Sequence, residues 1–176
     1  SATSAGDGVN GEFFGDNSAT REFAITENVY STDGIGVYTN ADISRLGTGS
    51  FEDGTDGFMM MSYYDVTSTT NVAGVRIYLD SYAFNEPLSV GGGELVVAIR
   101  DTTLISAETF DVGNTIATSD FYLVTDFDVN FNGYITVPFD PVVTLNPNAY
   151  FISVEMYSNG NSNDIYILDD ETIPQP

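Results

Sequence analysis

Acidic residues gather at two places where their spacing could hold a divalent cation. One is FEDGTDGF at 51–58 and the other is the acidic stretch at 164–171. Calcium takes oxygen ligands from carboxylates and backbone carbonyls, and glycine lets such groups curl around one ion. We therefore expect calcium as the ion, with ligands drawn from Glu52, Asp53, Asp56, Asp164, Asp169 and Asp170. The alternative is an ordinary turn, because Asp-Gly pairs are common turn residues.

A third stretch, DFDVNFNGYI at 126–135, has two interpretations. Counted from Asp128, it begins like an EF-hand calcium loop, but the twelfth position holds Phe139 where that loop needs a bidentate glutamate. The alternation of apolar and polar residues instead predicts a strand that ends in a hairpin turn at Asn132-Gly133. A looser ion site on one face of that strand stays open, formed by Asp126, Asp128 and Asn130.

Two stretches carry side chains suited to a sugar or another polar ligand. Alternation in the strand predicted at 72–84 places Arg76, Tyr78, Asp80 and Tyr82 on one outward face. Tyrosine rings stack on the C–H faces of sugars while charged groups bond the hydroxyls. We name Arg76, Tyr78 and Tyr82 as the candidate ligand-binding residues, with cross-strand tyrosine pairing as the alternative. The Asn-rich tip at 158–163 is either a second contact loop or a hairpin turn.

The composition removes whole classes of chemistry. The chain of 176 residues has no His, Cys, Lys or Trp, and its 26 acids against four Arg give a net charge of −22. Without His, Cys or Lys there is no imidazole or thiolate site, no activated Ser or Cys nucleophile and no Schiff base. So high a negative charge repels phosphates, and no apolar run is long enough to cross a bilayer. We expect no catalytic residues, no nucleic-acid partner and no membrane insertion.

Short β-prone segments separated by Gly, Asn, Asp and Pro fill the chain after its first 20 residues. No window keeps a helical apolar period over three turns. The pattern predicts an all-β fold, an antiparallel, jelly-roll-like β-sandwich of about ten strands. Residues 1–20 are expected to form a flexible segment or linker, and 21–176 a single domain. The predicted strands are 21–30, 35–40, 58–64, 72–84, 94–101, 105–112, 120–129, 133–139, 149–158 and 164–170.

The pattern of strands and turns in residues 72–170 resembles that of β-sandwich modules in large secreted and surface proteins from bacteria that use type IX secretion. The matching pieces are the GGGELVVAIRDTT strand, the step at Phe139 and Pro141, and the strand from Tyr150 to Val154. The resemblance implies an extracellular, non-catalytic accessory or adhesive module, often with structural calcium. It carries over no binding residues.

These observations together predict a secreted or cell-surface module for adhesion or ligand binding, with an extracellular glycan or protein as partner. One alternative is a filament subunit that binds copies of itself by donating an N-terminal strand containing Phe13, Phe14, Phe23 and Ile25. A second is a carbohydrate-binding module. The acidity is also typical of proteins adapted to high salt, which screens the repulsion between carboxylates. We expect salt or divalent ions to be needed for full stability.

Overall fold

The computed structural model describes residues 28–31, 43–50, 56–83, 86–103, 105–106 and 111–170. The segments 1–20 and 35–40 and most of the strand predicted at 21–30 lie outside the described residues. The described elements are β1 (Ile43–Gly47), a 3-10 turn (Thr48–Ser50), β2 (Phe58–Val66), β3 (Thr70–Ile77), β4 (Glu94–Asp101), β5 (Ile105–Ser106), β6 (Asp111–Val112), β7 (Thr115–Thr118), β8 (Tyr122–Leu123), α1 (Asp126–Phe131), β9 (Ile135–Leu145), β10 (Asn148–Tyr157) and β11 (Tyr166–Asp170).

The first sheet has the order β2-β10-β4-β7, and β8 also pairs with β4. Strand β10 is central, and the register places Val154 opposite both Met60 of β2 and Val97 of β4. A central strand is covered by its own sheet on two edges and packs on its faces, so apolar residues on both faces are tolerated. The central position predicted from the apolar character of 149–158 is therefore correct.

The second sheet is built from the ladders β1-β11 and β3-β9. An antiparallel bridge between Leu79 and Ile167 joins them, with backbone hydrogen bonds from Asp80 N to Tyr166 O and from Leu168 N to Tyr78 O, both 2.9 Å. The resulting order is β1-β11-β3-β9. The predicted all-β, antiparallel class is confirmed.

Buried side chains from both sheets form one hydrophobic cluster. Leu95, Val97 and Ile99 alternate along β4 and are fully buried, as their period of two predicts. Ile77 and Leu79 continue the cluster from the second sheet. Removal of this apolar surface from water is the main favourable term for folding, and it fixes which face of β3 remains at the surface.

Of the strand predicted over 120–129, only Tyr122–Leu123 lie in a strand, β8, and residues 126–131 form helix α1 instead. The hairpin turn predicted at Asn132-Gly133 is wrong, because a helix and not a strand precedes it. Thr125 is the N-cap, and its side chain accepts from the Asp128 amide while the Asp128 carboxylate accepts from the Thr125 amide. This capping box satisfies amides that a helix start leaves open. Asn132 is extended, with φ −97° and ψ 134°, and leads directly into β9. Within the described ranges, no helix has the length and apolar character needed to span a bilayer.

Candidate functional site

Arg76, Tyr78 and Tyr134 meet on the outer face of the β3-β9 ladder. The register pairs Arg76 with Thr136 and Ile77 with Ile135. Because Ile77 and Ile135 are buried, the neighbouring side chains point outward. The Tyr78 and Tyr134 rings contact edge to face, with centroids 5.8 Å apart and planes at 63°. The Arg76 guanidinium lies 4.4 Å from the Tyr134 centroid, a cation–π geometry.

Helix α1, which ends three residues before Tyr134, carries two further aromatic rings. Phe127 and Phe131 are four residues apart and therefore share one helical face. Their centroids are 5.2 Å apart, and the side chains are 61% and 73% exposed. The Tyr82 amide donates to the Val129 carbonyl at 3.0 Å, which fixes the end of the β3 segment against α1. Tyr82 is itself 59% exposed.

We call the set Arg76, Tyr78, Tyr82, Phe127, Phe131 and Tyr134 the aromatic surface. The candidate ligand-binding residues Arg76, Tyr78 and Tyr82 all belong to it. Large aromatic side chains dominate the energetics of interfaces, and a group of exposed rings is a feature that core packing does not explain. This surface can bind a ligand by ring contacts, three phenol hydroxyls and one guanidinium.

Asp128 anchors α1 below the aromatic surface. Its carboxylate is buried and accepts from Thr125 N at 2.9 Å, Thr125 Oγ1 at 2.7 Å, Asn132 Nδ2 at 3.0 Å and the Tyr122 hydroxyl at 3.3 Å. Desolvation acts to raise the pKa of Asp128, but the hydrogen bonds from Thr125, Asn132 and Tyr122 outweigh it and the pKa is lowered. Desolvation and the Asp128 charge raise the pKa of Tyr122. Donors from the protein itself thus occupy the Asp128 carboxylate. This geometry does not support Asp128 as a ligand in the looser ion site.

Asp80, expected on the same outward face as Tyr78 and Tyr82, is buried instead. Its Oδ2 accepts from the Leu88 amide at 2.8 Å and from Arg45 Nη1 at 3.4 Å. Within the described residues, Asp80 Oδ1 has no hydrogen-bond partner. The strand alternation fails here because the chain leaves the β3-β9 ladder after Ile77 and pairs with β11.

Similarity to known proteins does not indicate the role of this arrangement. No family model, curated protein or solved structure matches the chain. Its function has to be argued from the surface of the chain itself.

Of the candidate metal ligands, Asp56 ties down the loop after β10. Its Oδ1 accepts from the Ser158 amide at 2.6 Å and from Ser158 Oγ at 3.1 Å, and its Oδ2 accepts from the Gly160 amide at 3.3 Å. The hydrogen bond from the Ser158 amide is the main cause of a lowered Asp56 pKa, while desolvation acts to raise it. Glu52 and Asp53 lie outside the described residues.

The remaining candidate metal ligands lie along one strand. Asp164 accepts from Thr48 Oγ1 at 2.9 Å, just before β11. Asp169 is half-buried and Asp170 is buried, at the far end of β11, where they pair with β1. At about 3.3 Å per residue, Asp164 and Asp169 are about 17 Å apart, too far to share an ion. In the described part of the chain, no three acids come together in a group that could hold a metal.

The Asn-rich tip is tied to a neighbouring glycine turn. Asn163 Nδ2 donates to the Gly91 carbonyl at 2.7 Å, and Asn159 Nδ2 donates to the Gly92 carbonyl at 3.2 Å. Asn159 and Asn161 both have positive φ, 54° and 61°, which asparagine tolerates better than most residues. These bonds favour a turn over a ligand-contacting loop, but the turn is not the predicted hairpin, because β10 pairs with β2 and β4 while β11 pairs with β1.

The titration of Asp56 tests its loop-anchoring role. We expect its carboxyl carbon, followed by NMR, to titrate below the ordinary Asp value because amide donors favour the charged form. Since the folded pKa is lowered, the contribution to stability is present above the unfolded pKa and is lost as pH falls through the folded pKa. Ser158→Ala should raise the midpoint and Ser162→Ala should leave it unchanged. An ordinary midpoint in the wild type would contradict the hydrogen bonds described.

Proposed function

We propose that the chain is a secreted or cell-surface, non-catalytic β-sandwich module that binds an extracellular ligand through the aromatic surface. The observation that carries the proposal is the exposure of Phe127, Phe131 and Tyr82, in segments that the Tyr82–Val129 backbone hydrogen bond joins, together with the Arg76–Tyr134 contact. Exposed rings in contact with one another and with a guanidinium are typical of recognition surfaces. Adhesion, or the attachment of a larger protein to a target, is the role that such a module serves.

A binding role is supported over catalysis by the way the acids are used. Catalytic acid–base pairs need carboxyl groups with access to a substrate. Asp128 and Asp56 instead accept several donors from their own fold, and their lowered pKa values favour the charged form. The composition also offers no His, Cys or Lys to act as an acid–base or nucleophilic group. An extracellular location is supported by the resemblance to secreted bacterial modules.

Binding can be tested with labelled full-length chain on a glycan array and on a panel of extracellular polypeptides. We expect at least one ligand above background, and we expect Phe127→Ser/Phe131→Ser to reduce its signal about tenfold or more. Ile116→Ser/Val142→Ser is the matched control, because it removes two exposed apolar side chains from β7 and β9. Absence of any signal, or equal losses in the two double variants, would refute the proposal.

Calcium and salt are proposed to stabilise the acidic module. The chain has twenty-six acids and only four arginines, so its carboxylates repel one another in the folded state. Either a divalent ion or screening by salt relieves that repulsion. We expect the melting temperature to rise with sodium chloride, and to rise further with calcium in a way that a chelator reverses. Magnesium at equal concentration controls for simple screening. A melting temperature indifferent to calcium at every salt level would remove calcium from the proposal.

A further inference from the structure

The tilt between the rings of the aromatic surface discriminates between classes of ligand. The Tyr78 and Tyr134 planes meet at 63°, and those of Phe127 and Phe131 at 35°. One face of Tyr134 is already covered by Arg76. A sugar ring therefore cannot lie flat on both members of either pair. Tilted rings form an uneven surface against which the side chains of a polypeptide can pack.

The residue types also match a protein interface. Tyr, Phe and Arg are enriched at the centres of protein interfaces, where they provide most of the binding energy, and Lys is depleted. Phe127 and Phe131 have no hydroxyl groups with which to bond a sugar. On the helix they form a pair at i and i+4, the spacing by which a short helical face contacts a partner.

The net charge of the chain indicates which polypeptides can bind to it. The net charge of −22 sets up a negative potential around the module. A partner segment with basic residues at its rim is attracted by this potential, and complementary charge raises the association rate. A second copy of the chain carries the same charge and is repelled.

We propose that the aromatic surface binds a polypeptide segment that presents apolar side chains flanked by lysine or arginine. The inference rests on the proposed binding function and assigns its ligand class. Apolar side chains of the segment pack against the tilted rings, and the negative potential of the module attracts its basic residues. Binding is therefore expected to need both the rings and low ionic strength.

Selection of random peptides from a displayed library against the full-length chain tests this assignment. We expect the selected peptides to be enriched in aromatic or aliphatic residues next to Lys or Arg. Their dissociation constants should rise about tenfold or more in Phe127→Ser/Phe131→Ser, and also in the wild type at high sodium chloride. The control Ile116→Ser/Val142→Ser should bind like the wild type. Melting temperatures of both double variants verify that the fold is retained.

Four outcomes would overturn the assignment. If basic peptides bind the Phe127→Ser/Phe131→Ser variant as well as they bind the wild type, they are held by electrostatic attraction alone and do not contact the aromatic surface. If analytical ultracentrifugation shows self-association and this variant abolishes it, the aromatic surface binds a second copy of the chain. Glycan binding that needs Phe127 and Phe131, with no peptide selected, would refute the polypeptide assignment and leave the proposed binding function standing. With neither glycan nor peptide bound, both fail.

Discussion

Replacing Leu79 by alanine should lower the free energy of unfolding by about 3 kcal/mol. Leu79 is fully buried, and it lies where the β1-β11 ladder is bridged to β3. The substitution removes apolar surface from the shared core and leaves a cavity that rigid strands on both sides cannot close. Because the same residue bridges to Ile167, the loss falls at the junction of the second sheet. Urea unfolding followed by circular dichroism measures it.

Leu88→Ala is the matched control for this prediction. Leu88 is 51% exposed, and the hydrogen bond from its backbone amide to Asp80 does not depend on the side chain. We expect a loss below about 0.5 kcal/mol, as for other surface substitutions. Equal losses for the two leucines would mean that the bridge region is not packed as described.

The fold follows from the sequence where one physical signal dominates. Strands β4 and β10 were predicted almost to the residue, because β4 shows a period of two and β10 carries the apolar faces of a central strand. Strand β9 extends further than predicted, to Leu145, through Pro138 and Pro141. It lies at the edge of its sheet, where a missing amide donor is tolerated. Local sequence does not state which strands will become edges.

Helix α1 was missed because its signals are short. Six residues give too few turns for an apolar period, and Phe127, Val129 and Phe131 also fit a strand. The decisive residues are Thr125 and Asp128, three apart, which form the capping box. An aspartate at the third helical position, in place of the usual Glu or Gln, weakens that pattern in sequence.

The candidate binding residues were predicted in part. Alternation after Val75 places Arg76 and Tyr78 outward, and both lie on the aromatic surface. Tyr134 joins them only through the β3-β9 register, and the phenylalanines only through α1, so neither follows from local sequence. The i, i+4 spacing of Phe127 and Phe131 was the one available signal, and the strand interpretation of 120–129 concealed it.

Replacing Asp128 by alanine should also cost about 3 kcal/mol of unfolding free energy and should weaken ligand binding. The substitution removes a buried carboxylate that accepts hydrogen bonds from Thr125, Asn132 and Tyr122. Without its capping box, a six-residue helix has little to hold it together, because isolated short helices are unstable. Phe127 and Phe131 then lose their fixed positions. Chemical unfolding and peptide titration measure the two effects.

Asp126→Ala is the matched control for Asp128→Ala, because Asp126 is an exposed acid in the same helical turn. We expect it to cost less than about 1 kcal/mol, the scale of a charge near a helix start. The pKa of Asp128 is lowered in the folded state, so its contribution is present above the unfolded pKa and is lost as pH falls through the folded pKa. The stability difference between wild type and Asp128→Ala should therefore shrink in acid. A difference that is constant with pH would show that the ionised carboxylate does not anchor α1, and the positioning of the two phenylalanines would then need another cause.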